Sequence, residues 1–384
     1  MNKRLAIFAS GDIRTYGGGE KYVIELVKRL KNFDITVISY NQNIDLRLSS
    51  HEVRKMLNAR LLFYKAFTLP ISNERLPLTK SGLKILSDIN KFDSIYIVDT
   101  SLPVIIAILI VLKLRRAKTK IILGLHDPGF LRRYPIIDST LRKFLLKSYM
   151  PLYKHVVFKV PNIHALNLDS AKMLKNLGYK GHIYNIPNFL YLEKKYKKEA
   201  KNSKKFVVLF VGRLSIYHKG LDLLKEVIIK TLSKNNKIIF HIIGSGEEGK
   251  ELISKIQNRF YKNVFYKGFL WKADLEKEYI NSSIFILTSR IESFSLVTLE
   301  AQAHGLPVIS FNISGPNKII KGFSGKLIKR FNTREFSDAI LEYYDLWRNN
   351  KLDYKLKNKI INKTFDKYSD KMITPQLVEM LSED

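Results

Sequence analysis

The stretch "SIFILTSRIESFSLVTLEAQAHGLPVISF" (283–311) contains the features that decide the fold. The run "SIFILTS" at its start is typical of a buried strand, and "LPVISF" at its end predicts a second one. Between them the pattern becomes helical, and Ser293 or Ser295 stands where a side chain can cap the helix N-terminus. A strand, a helix and a strand in this order predict parallel pairing within an α/β fold.

The same alternation continues outward in both directions. The strand candidates of the first half are "LAIFAS", "ITVISY", "SIYIVD", "IILGLH" and "HVVFKV", and those of the second half are "FVVLFVGR", "KIIFHIIG", "NVFYKGF", "SIFILTS" and "LPVISF". Helical patterns such as "EKYVIELVKRLK" separate them. We therefore expect two Rossmann-like, doubly wound domains, with the lysine-rich "YLEKKYKKEAKNSKK" after Asn188 as the seam. The expected divisions are 1–189, 190–360, and a helical C-terminal segment 361–384 that returns to the first domain.

Composition narrows the class of protein. The 384 residues suffice for two hydrophobic cores, and the absence of cysteine excludes disulfides and thiolate metal sites. The apolar run at the N-terminus is too short for a secretory signal, and Leu102–Leu112 is too short to span a bilayer and predicts a buried crossover helix. We expect a cytoplasmic protein.

The formal net charge of +31 bears on partners. Basic residues cluster in "KLRRAKTK" (113–120), in "LRRYPIIDSTLRKFLLKSYMPLYK" (131–154) and in "KKYKKEAKNSKK" (194–205). One interpretation is solvated charge spread over a lysine-rich surface. The other is attraction to an anionic membrane, because the second cluster interleaves apolar residues with cations at roughly helical spacing. No nucleic-acid-binding module is visible, and we expect none.

Ligands of doubly wound domains bind beyond the carboxyl ends of the strands, so the residues that follow each strand are the candidates for chemistry. After the first strand, Gly17, Gly18 and Gly19 lead into a helix, where backbone amides can face an anion. A plain turn explains these glycines nearly as well, and the dinucleotide pattern G-x-G-x-x-G fails at Tyr22.

In the second half, "RLSIYHKGLDLL" places Arg213 and Lys219 around a loop that opens a helix, a location suited to a bound anion. The next strand ends in "GSGEEGKE", which has the glycine and lysine spacing of a phosphate-binding P-loop. Glu251 stands where that loop needs Ser or Thr for magnesium, so the ATPase interpretation fails and a tight turn from Gly244 to Gly246 remains.

The quoted stretch holds two carboxylates eight residues apart. Glu292 lies in the loop after a strand, and Glu300 lies in the second turn of the helix. Between them, the amides of residues 294–297 are the unpaired donors of a helix start. Carboxylates can accept from sugar hydroxyls and amides can bind phosphate, so this arrangement suits a sugar nucleotide. The alternative is that Glu300 is merely a surface residue of its helix.

At this point the sequence resembles a known family. "ESFSLVTLEAQAHGLPVI" resembles the E-x7-E signature of retaining glycosyltransferases with the GT-B fold, family 4 in particular. Further matches follow in order over nearly the whole chain: "GGGEKYVIEL", "LHDP", "IPN", "VGRL" with the later "KG", "GSG" and "YKGF". The expected fold class is therefore α/β, GT-B, with two Rossmann-like domains facing each other across a cleft.

The resemblance implies a role for each matching residue. Arg213 and Lys219 would neutralise the leaving diphosphate, Glu292 would hold the transferred sugar, and His126 would line the sugar and acceptor side. The donor would further contact residues of both domains: Gly18, Gly19, Gly244, Gly246, Phe269, Ser293, Phe294, Ser295, Leu296, Val297 and Glu300. Among these, Glu300 would bind the ribose, and Phe269 would offer its backbone to the base.

The resemblance also implies the chemistry. Family members retain anomeric configuration and need no metal, and the chain has no Asp-x-Asp pair to clamp one. The implied partners are a nucleoside-diphosphate sugar and a glycan or lipid-linked acceptor, the latter at the inner membrane face. No cofactor is expected.

Three departures from the family pattern stand out. The loop from Arg213 to Lys219 is about one residue longer than usual, Ser293 and Ser295 replace common glycines, and "NFLYLE" replaces the usual Gly-Val-Asp after the junction. Ser295 is the one expected to crowd the sugar and narrow the choice of donor. Two other interpretations stay open: a non-catalytic subunit that binds sugar nucleotides, and a nucleotide-sugar epimerase of the same fold.

Overall fold

The structure is a computed structural model that describes residues 2–9, 11–42, 46–68, 75–98, 101–126, 151–195 and 205–383.

Strands and helices alternate along both halves of the chain. The strands are β1 (Lys3–Phe8), β2 (Phe33–Tyr40), β3 (Arg60–Tyr64), β4 (Phe67–Thr68), β5 (Arg75–Leu76), β6 (Ser94–Ile97), β7 (Lys120–Gly124), β8 (Asn162–Ala165), β9 (His182–Asn185), β10 (Val207–Val211), β11 (Ile239–Ile243), β12 (Val264–Tyr266), β13 (Ile284–Leu287), β14 (Val308–Phe311) and β15 (Gly325–Ile328). The helices are α1 (Gly18–Val27), α2 (Ser50–Met56), α3 (Lys80–Ser87), α4 (Leu102–Leu114), α5 (described over 151–157), α6 (Leu168–Asn176), α7 (Ile216–Lys219), α8 (Leu221–Lys234), α9 (Glu247–Arg259), α10 (Lys272–Asn281), α11 (Leu296–Ala303), α12 (Pro316–Ile319), α13 (Thr333–Arg348), α14 (Tyr354–Tyr368) and α15 (Asp370–Ser382).

Two parallel sheets organise these elements. The first has the strand order β3-β2-β1-β6-β7-β8-β9, and the second has the order β12-β11-β10-β13-β14-β15. Strand order reverses between β1 and β6 in the first sheet and between β10 and β13 in the second. Ligands in open parallel sheets bind at such switch points, beyond the carboxyl ends of the strands.

The central strands are apolar on both faces, as parallel sheets covered by helices require. Every residue of β10 (VVLFV) and of β13 (IFIL) is buried. Continuous burial leaves no polar side chain within these strands, so the groups that can carry chemistry come immediately after them.

The chain divides into two compact units, each with one sheet. Unit 1 comprises Met1–Asn188 and Lys371–Asp384, and unit 2 comprises Phe189–Asp370. The sequence-based boundaries were 189/190 and 360/361, so α14 lies in unit 2 and almost all of α15 in unit 1. Helix α15 is joined to the first sheet, since the Ser94 hydroxyl donates to the Leu381 carbonyl at 3.0 Å.

One predicted strand, "HVVFKV" (155–160), is wrong. Residues 155–157 are helical, and the strand that joins the sheet at this place is β8. The β-branched residues of this run suggested a strand, but the buried residues Val156, Val157 and Val160 continue a helical spacing that begins at buried Tyr153. The crossover helix predicted at 102–112 is confirmed as α4. Within the described ranges, no helix is both long and apolar enough to cross a membrane.

Candidate functional site

The loops that follow β10 and β13 meet at the switch point of unit 2. The Thr288 hydroxyl donates to the Lys219 carbonyl at 3.0 Å, and the Arg290 amide donates to the His218 carbonyl at 3.0 Å. Gly220, between α7 and α8, has a φ of 62°, and a Cβ there would lie 2.2 Å from the Thr288 oxygen. Only glycine permits this close passage of the two backbones.

Lys219 and Glu292 form an ion pair at this junction. The Lys219 ammonium contacts Oε1 of Glu292, which also accepts from the Ser289 hydroxyl at 2.8 Å. Their side chains are only 20% and 10% exposed. The sequence predicted that both residues belong to one site, and the structure places them in direct contact.

Arg213 follows β10 and is exposed. It forms no ion pair or side-chain hydrogen bond with any part of the chain that the structure describes. Arg290, by contrast, is neutralised by Asp222 through two hydrogen bonds of 2.7 and 2.6 Å. Of the cations Arg213, Lys219 and Arg290, Arg213 is therefore the one without an acidic partner among the described residues.

The start of α11 presents unpaired amides. The amides of Phe294, Leu296 and Val297 have no hydrogen-bond acceptor within the described residues, as expected for a helix N-terminus. The expectation that a serine side chain caps this helix is wrong. Ser295 occupies the N-cap position in the left-handed region, with φ 79°, and its hydroxyl pairs with the Thr298 hydroxyl at 2.9 Å instead of a backbone amide.

Glu300 is not a surface residue, which removes the alternative interpretation of its position. It is 7% exposed, and its two carboxylate oxygens accept from the hydroxyls of Tyr191 at 2.9 Å and Tyr279 at 3.0 Å. Burial and the neighbouring carboxylate raise the pKa of Tyr279 well above its usual value, so its hydroxyl stays a donor. Sequence reasoning missed both tyrosines, because nothing in the sequence around them distinguishes them from core aromatic residues.

The glycine turn after β11 lies against the loop after β10. Gly244 has a φ of 148°, and a Cβ there would lie 1.7 Å from the Gly212 carbonyl oxygen. The Gly244 amide donates to the Gly268 carbonyl at 2.8 Å, which brings the two turns after β11 and β12 together. Phe269, the next residue, is 43% exposed. Gly246 also has positive φ, at 153°.

In unit 1, the glycine loop precedes α1 and His126 follows β7. Helix α1 starts at Gly18 after the N-cap residue Gly17, and a Cβ on Gly18 would meet nothing within 4 Å. Space beside Gly18 is therefore open. His126 is half-buried, and its Nε2 atom lies 3.0 Å from the Tyr96 hydroxyl.

Burial keeps the two histidines of this region neutral. It lowers the pKa of His126 well below its usual value, with a further contribution from His164, and it lowers the pKa of His164 to about 4. Neither ring carries a positive charge near neutral pH.

A sequence model of the family described as "Glycosyl transferases group 1" matches residues 193–364. This segment covers the switch point of unit 2 with Arg213, Lys219, Glu292 and Glu300. Residues 193–364 are thus similar to the group 1 glycosyltransferases. Solved structures extend the likeness to the whole fold: the Anabaena protein Alr3699/HepE, crystallised in complex with UDP, superposes with a TM-score of 0.77 at 16% identity over 99% of both chains. The fold is that of the GT-B glycosyltransferases, as predicted.

Two curated relatives of this chain have named activities. A UDP-Gal:alpha-D-GlcNAc-diphosphoundecaprenol alpha-1,3-galactosyltransferase of Escherichia coli is 32% identical over 176 residues, or 43% of this chain and 44% of its own length. A poly(ribitol-phosphate) alpha-N-acetylglucosaminyltransferase of Staphylococcus aureus is 28% identical over 204 residues, or 52% of this chain and 40% of its own. The chain thus spans less than half the length of these relatives.

Two sequence-based expectations remain, one on the basic segment and one on metal binding. The basic segment 131–154 lies almost wholly outside the described residues. Within the described part of the chain, no three His, Cys, Asp or Glu side chains are grouped to hold a metal ion.

Proposed function

We propose that this protein is a retaining glycosyltransferase, which moves a hexose from a nucleoside-diphosphate sugar to an acceptor hydroxyl. The observation that carries the proposal is the grouping at one sheet edge of unit 2. The two strands of the switch point are followed there by three groups: the uncompensated Arg213, the Lys219–Glu292 pair and the unpaired amides at the start of α11. Such a site offers cations to phosphate and a carboxylate to sugar hydroxyls.

The proposed donor is a UDP-sugar. This choice rests on the UDP-Gal named for the E. coli relative and on the UDP bound to the Anabaena protein. Arg213 and Lys219 would bind the diphosphate, and the backbone of Phe269 would face the base. Lys219 can do this without leaving Glu292, because an ammonium group has three donors.

Glu300 is proposed to bind the ribose of this donor. A carboxylate has about four lone-pair positions, and the two tyrosines occupy one on each oxygen. Because a carboxylate oxygen accepts more than one hydrogen bond, adjacent ribose hydroxyls can donate to Glu300 together with these tyrosines. Tyr191 and Tyr279 would also fix the orientation of the carboxylate before the donor arrives, which lowers the entropic cost of binding.

In the proposed reaction, the bond between the anomeric carbon and the leaving phosphate oxygen breaks. The acceptor oxygen forms the new bond on the same face of the sugar, and its proton passes to an oxygen of the departing diphosphate. Arg213, Lys219 and the α11 amides would stabilise the negative charge that develops on the leaving group, so the proposal requires no metal ion.

The acceptor is proposed to be a glycan or a lipid-linked sugar at the inner membrane face. The relatives' names include a diphosphoundecaprenol acceptor and a poly(ribitol-phosphate) acceptor. Near an anionic surface each Lys or Arg contributes about 1 kcal/mol, and the segment 131–154 combines several such residues with Phe144 and Leu145. It would dock the enzyme reversibly on the membrane.

Liposome co-sedimentation tests this docking. Binding should require anionic lipid, weaken with salt, and fall when Arg132, Arg133, Arg142 and Lys143 are replaced by glutamate. Equal binding to neutral liposomes would contradict it and leave the transferase proposal standing.

A panel of UDP-sugars tests the transferase itself. With a hexosyl-phospholipid or a glycan acceptor present, one donor should give UDP release that depends on the acceptor, and NMR of the product should show the donor's anomeric configuration. Activity should persist in EDTA. An inverted product would refute the retaining mechanism, and loss of activity in EDTA that magnesium or manganese restores would refute the metal-free one. Binding of donor without transfer to any acceptor would favour a non-catalytic subunit.

A further inference from the structure

Tyrosine and histidine side chains form a continuous hydrogen-bonded chain inside unit 1. The Tyr96 hydroxyl on β6 lies 2.7 Å from Nδ1 of His164 on β8 and 3.0 Å from Nε2 of His126. Nε2 of His164 lies 2.8 Å from the Ile186 carbonyl, and the Tyr22 hydroxyl on α1 lies 3.4 Å from that of Tyr96. The side chains of Tyr96 and His164 are fully buried, so water does not supply alternative partners.

The direction of these hydrogen bonds follows from the carbonyl at one end. A carbonyl only accepts, so His164 carries its proton on Nε2 and, because it is neutral, leaves Nδ1 bare. The Tyr96 hydroxyl must then donate its single proton to that Nδ1. Its oxygen is left as an acceptor, and His126 at 3.0 Å must donate from Nε2. Nδ1 of His126 is therefore the atom without a proton.

The surroundings of the His126 ring hold it in place. Its ring meets those of Tyr22 and His164 edge to face, at centroid distances of 5.2 and 5.1 Å. Gly124 provides the space, since a Cβ there would lie 3.0 Å from the Tyr96 hydroxyl and 3.1 Å from Nε2 of His126. Nδ1 of His126 has no hydrogen-bond partner within the described residues, and the ring is half-buried rather than enclosed.

We propose that Tyr96 and His164 are positioning residues that hold His126 as the neutral tautomer protonated on Nε2, so that Nδ1 is a fixed acceptor for a substrate hydroxyl. This inference rests on the proposed function, which makes the substrate a sugar. It assigns His126 a specific role: the ring orients a hydroxyl group, and it neither supplies positive charge to the diphosphate nor acts as a general acid.

The first test is direct and needs no activity. NMR of the full chain labelled with ¹⁵N-histidine distinguishes the two tautomers and the cation at each of the eight histidines. Single His→Gln variants assign the signals. At pH 7, both His126 and His164 should be neutral and protonated on Nε2. A cationic His126, or one protonated on Nδ1, overturns the proposal.

The second test reverses the hydrogen-bonded chain. In His164→Phe the Tyr96 hydroxyl loses its acceptor and becomes free to donate to Nε2 of His126, so His126 should switch to the Nδ1–H tautomer. His51→Phe, at an exposed position on α2, is the control and should leave the tautomer unchanged. An unchanged His126 in folded His164→Phe overturns the proposal. If that variant does not fold, Tyr96→Phe serves instead: it removes the partner of Nε2, and a mixture of both tautomers should appear.

The kinetic consequence is tested on the same variants. When Nδ1 becomes a donor, the KM of one sugar substrate should rise on the order of tenfold, the loss of about one hydrogen bond, while kcat changes much less. An unchanged KM in a variant with the switched tautomer overturns the contact with substrate. Absence of any transferase activity in the wild-type protein would refute the proposed function, whereas the tautomer itself is decided by NMR alone.

Discussion

The ion pair of Lys219 and Glu292 joins two loops of unit 2, and its strength can be measured by a double-mutant cycle. Two unit charges about 4 Å apart attract by about 4 kcal/mol at an effective dielectric constant of 20. Desolvation offsets much of this attraction, since the side chains are only 20% and 10% exposed. We expect Lys219→Met, Glu292→Gln and the double variant to give a coupling free energy of about 1–2 kcal/mol.

The assay is urea unfolding followed by tryptophan fluorescence. The two tryptophans of the chain, Trp271 and Trp347, both lie in unit 2, so their signal reports the unfolding of that unit alone. Lys326 and Glu342 are a matched control at 2.6 Å, because their side chains are 39% and 58% exposed and should couple by about 0.5 kcal/mol or less. Equal coupling in both pairs would refute the reasoning that the first pair is a shielded part of the site.

Two further predictions concern the glycine turn and the buried histidines. Gly244→Ala should destabilise unit 2 by about 3 kcal/mol or more, because its Cβ would lie 1.7 Å from a carbonyl oxygen. The control is Gly322→Ala, which has a φ of 57° and open space around the new Cβ, and it should cost about 1 kcal/mol. Equal losses of the free energy of unfolding in urea would contradict this prediction. The pKa of His164 is about 4 in the folded state and about 6.5 in the unfolded chain. Between these pH values the unfolded chain binds more protons than the folded one. Unit 1 should therefore lose about 2 kcal/mol of stability as the pH falls from 7 to 5. Hydrogen exchange of the β6 amides measures this loss, and a flat profile over that range would show that the histidine is not buried as described.

The fold was well predicted from the sequence because strands and helices produce local, periodic patterns of apolar residues. Strands such as β10 and β13 are buried on both faces and read as continuous apolar runs, so both the strands and the parallel pairing were predictable. The run 155–160 failed for a related reason. Its valines fit both the residue pattern of a strand and one apolar face of a helix, and packing of that face against the core favours the helix.

The site was predictable only in part. Arg213 and Glu292 lie in the loops that follow β10 and β13, Lys219 lies just before α8, and Glu300 lies in the second turn of α11. Sequence position alone predicts that such residues lie near the switch point. The partners of these residues were not predictable. Tyr279 contacts Glu300 from the preceding helix, and Tyr191 contacts it from the start of the seam. Contacts between separate elements produce no pattern in the local sequence.

The central claim is that the switch point of unit 2 binds the diphosphate of a sugar nucleotide through an uncompensated Arg213. Its most direct test is the kcat/KM of Arg213→Ala beside that of Arg348→Ala, which replaces another exposed arginine at the end of α13. Loss of the leaving-group cation should lower kcat/KM by about 10²-fold or more in the first variant, with unfolding by urea unchanged, and leave the second near the wild-type value. Near-normal turnover in Arg213→Ala, or an equal loss in both variants, would contradict the claim.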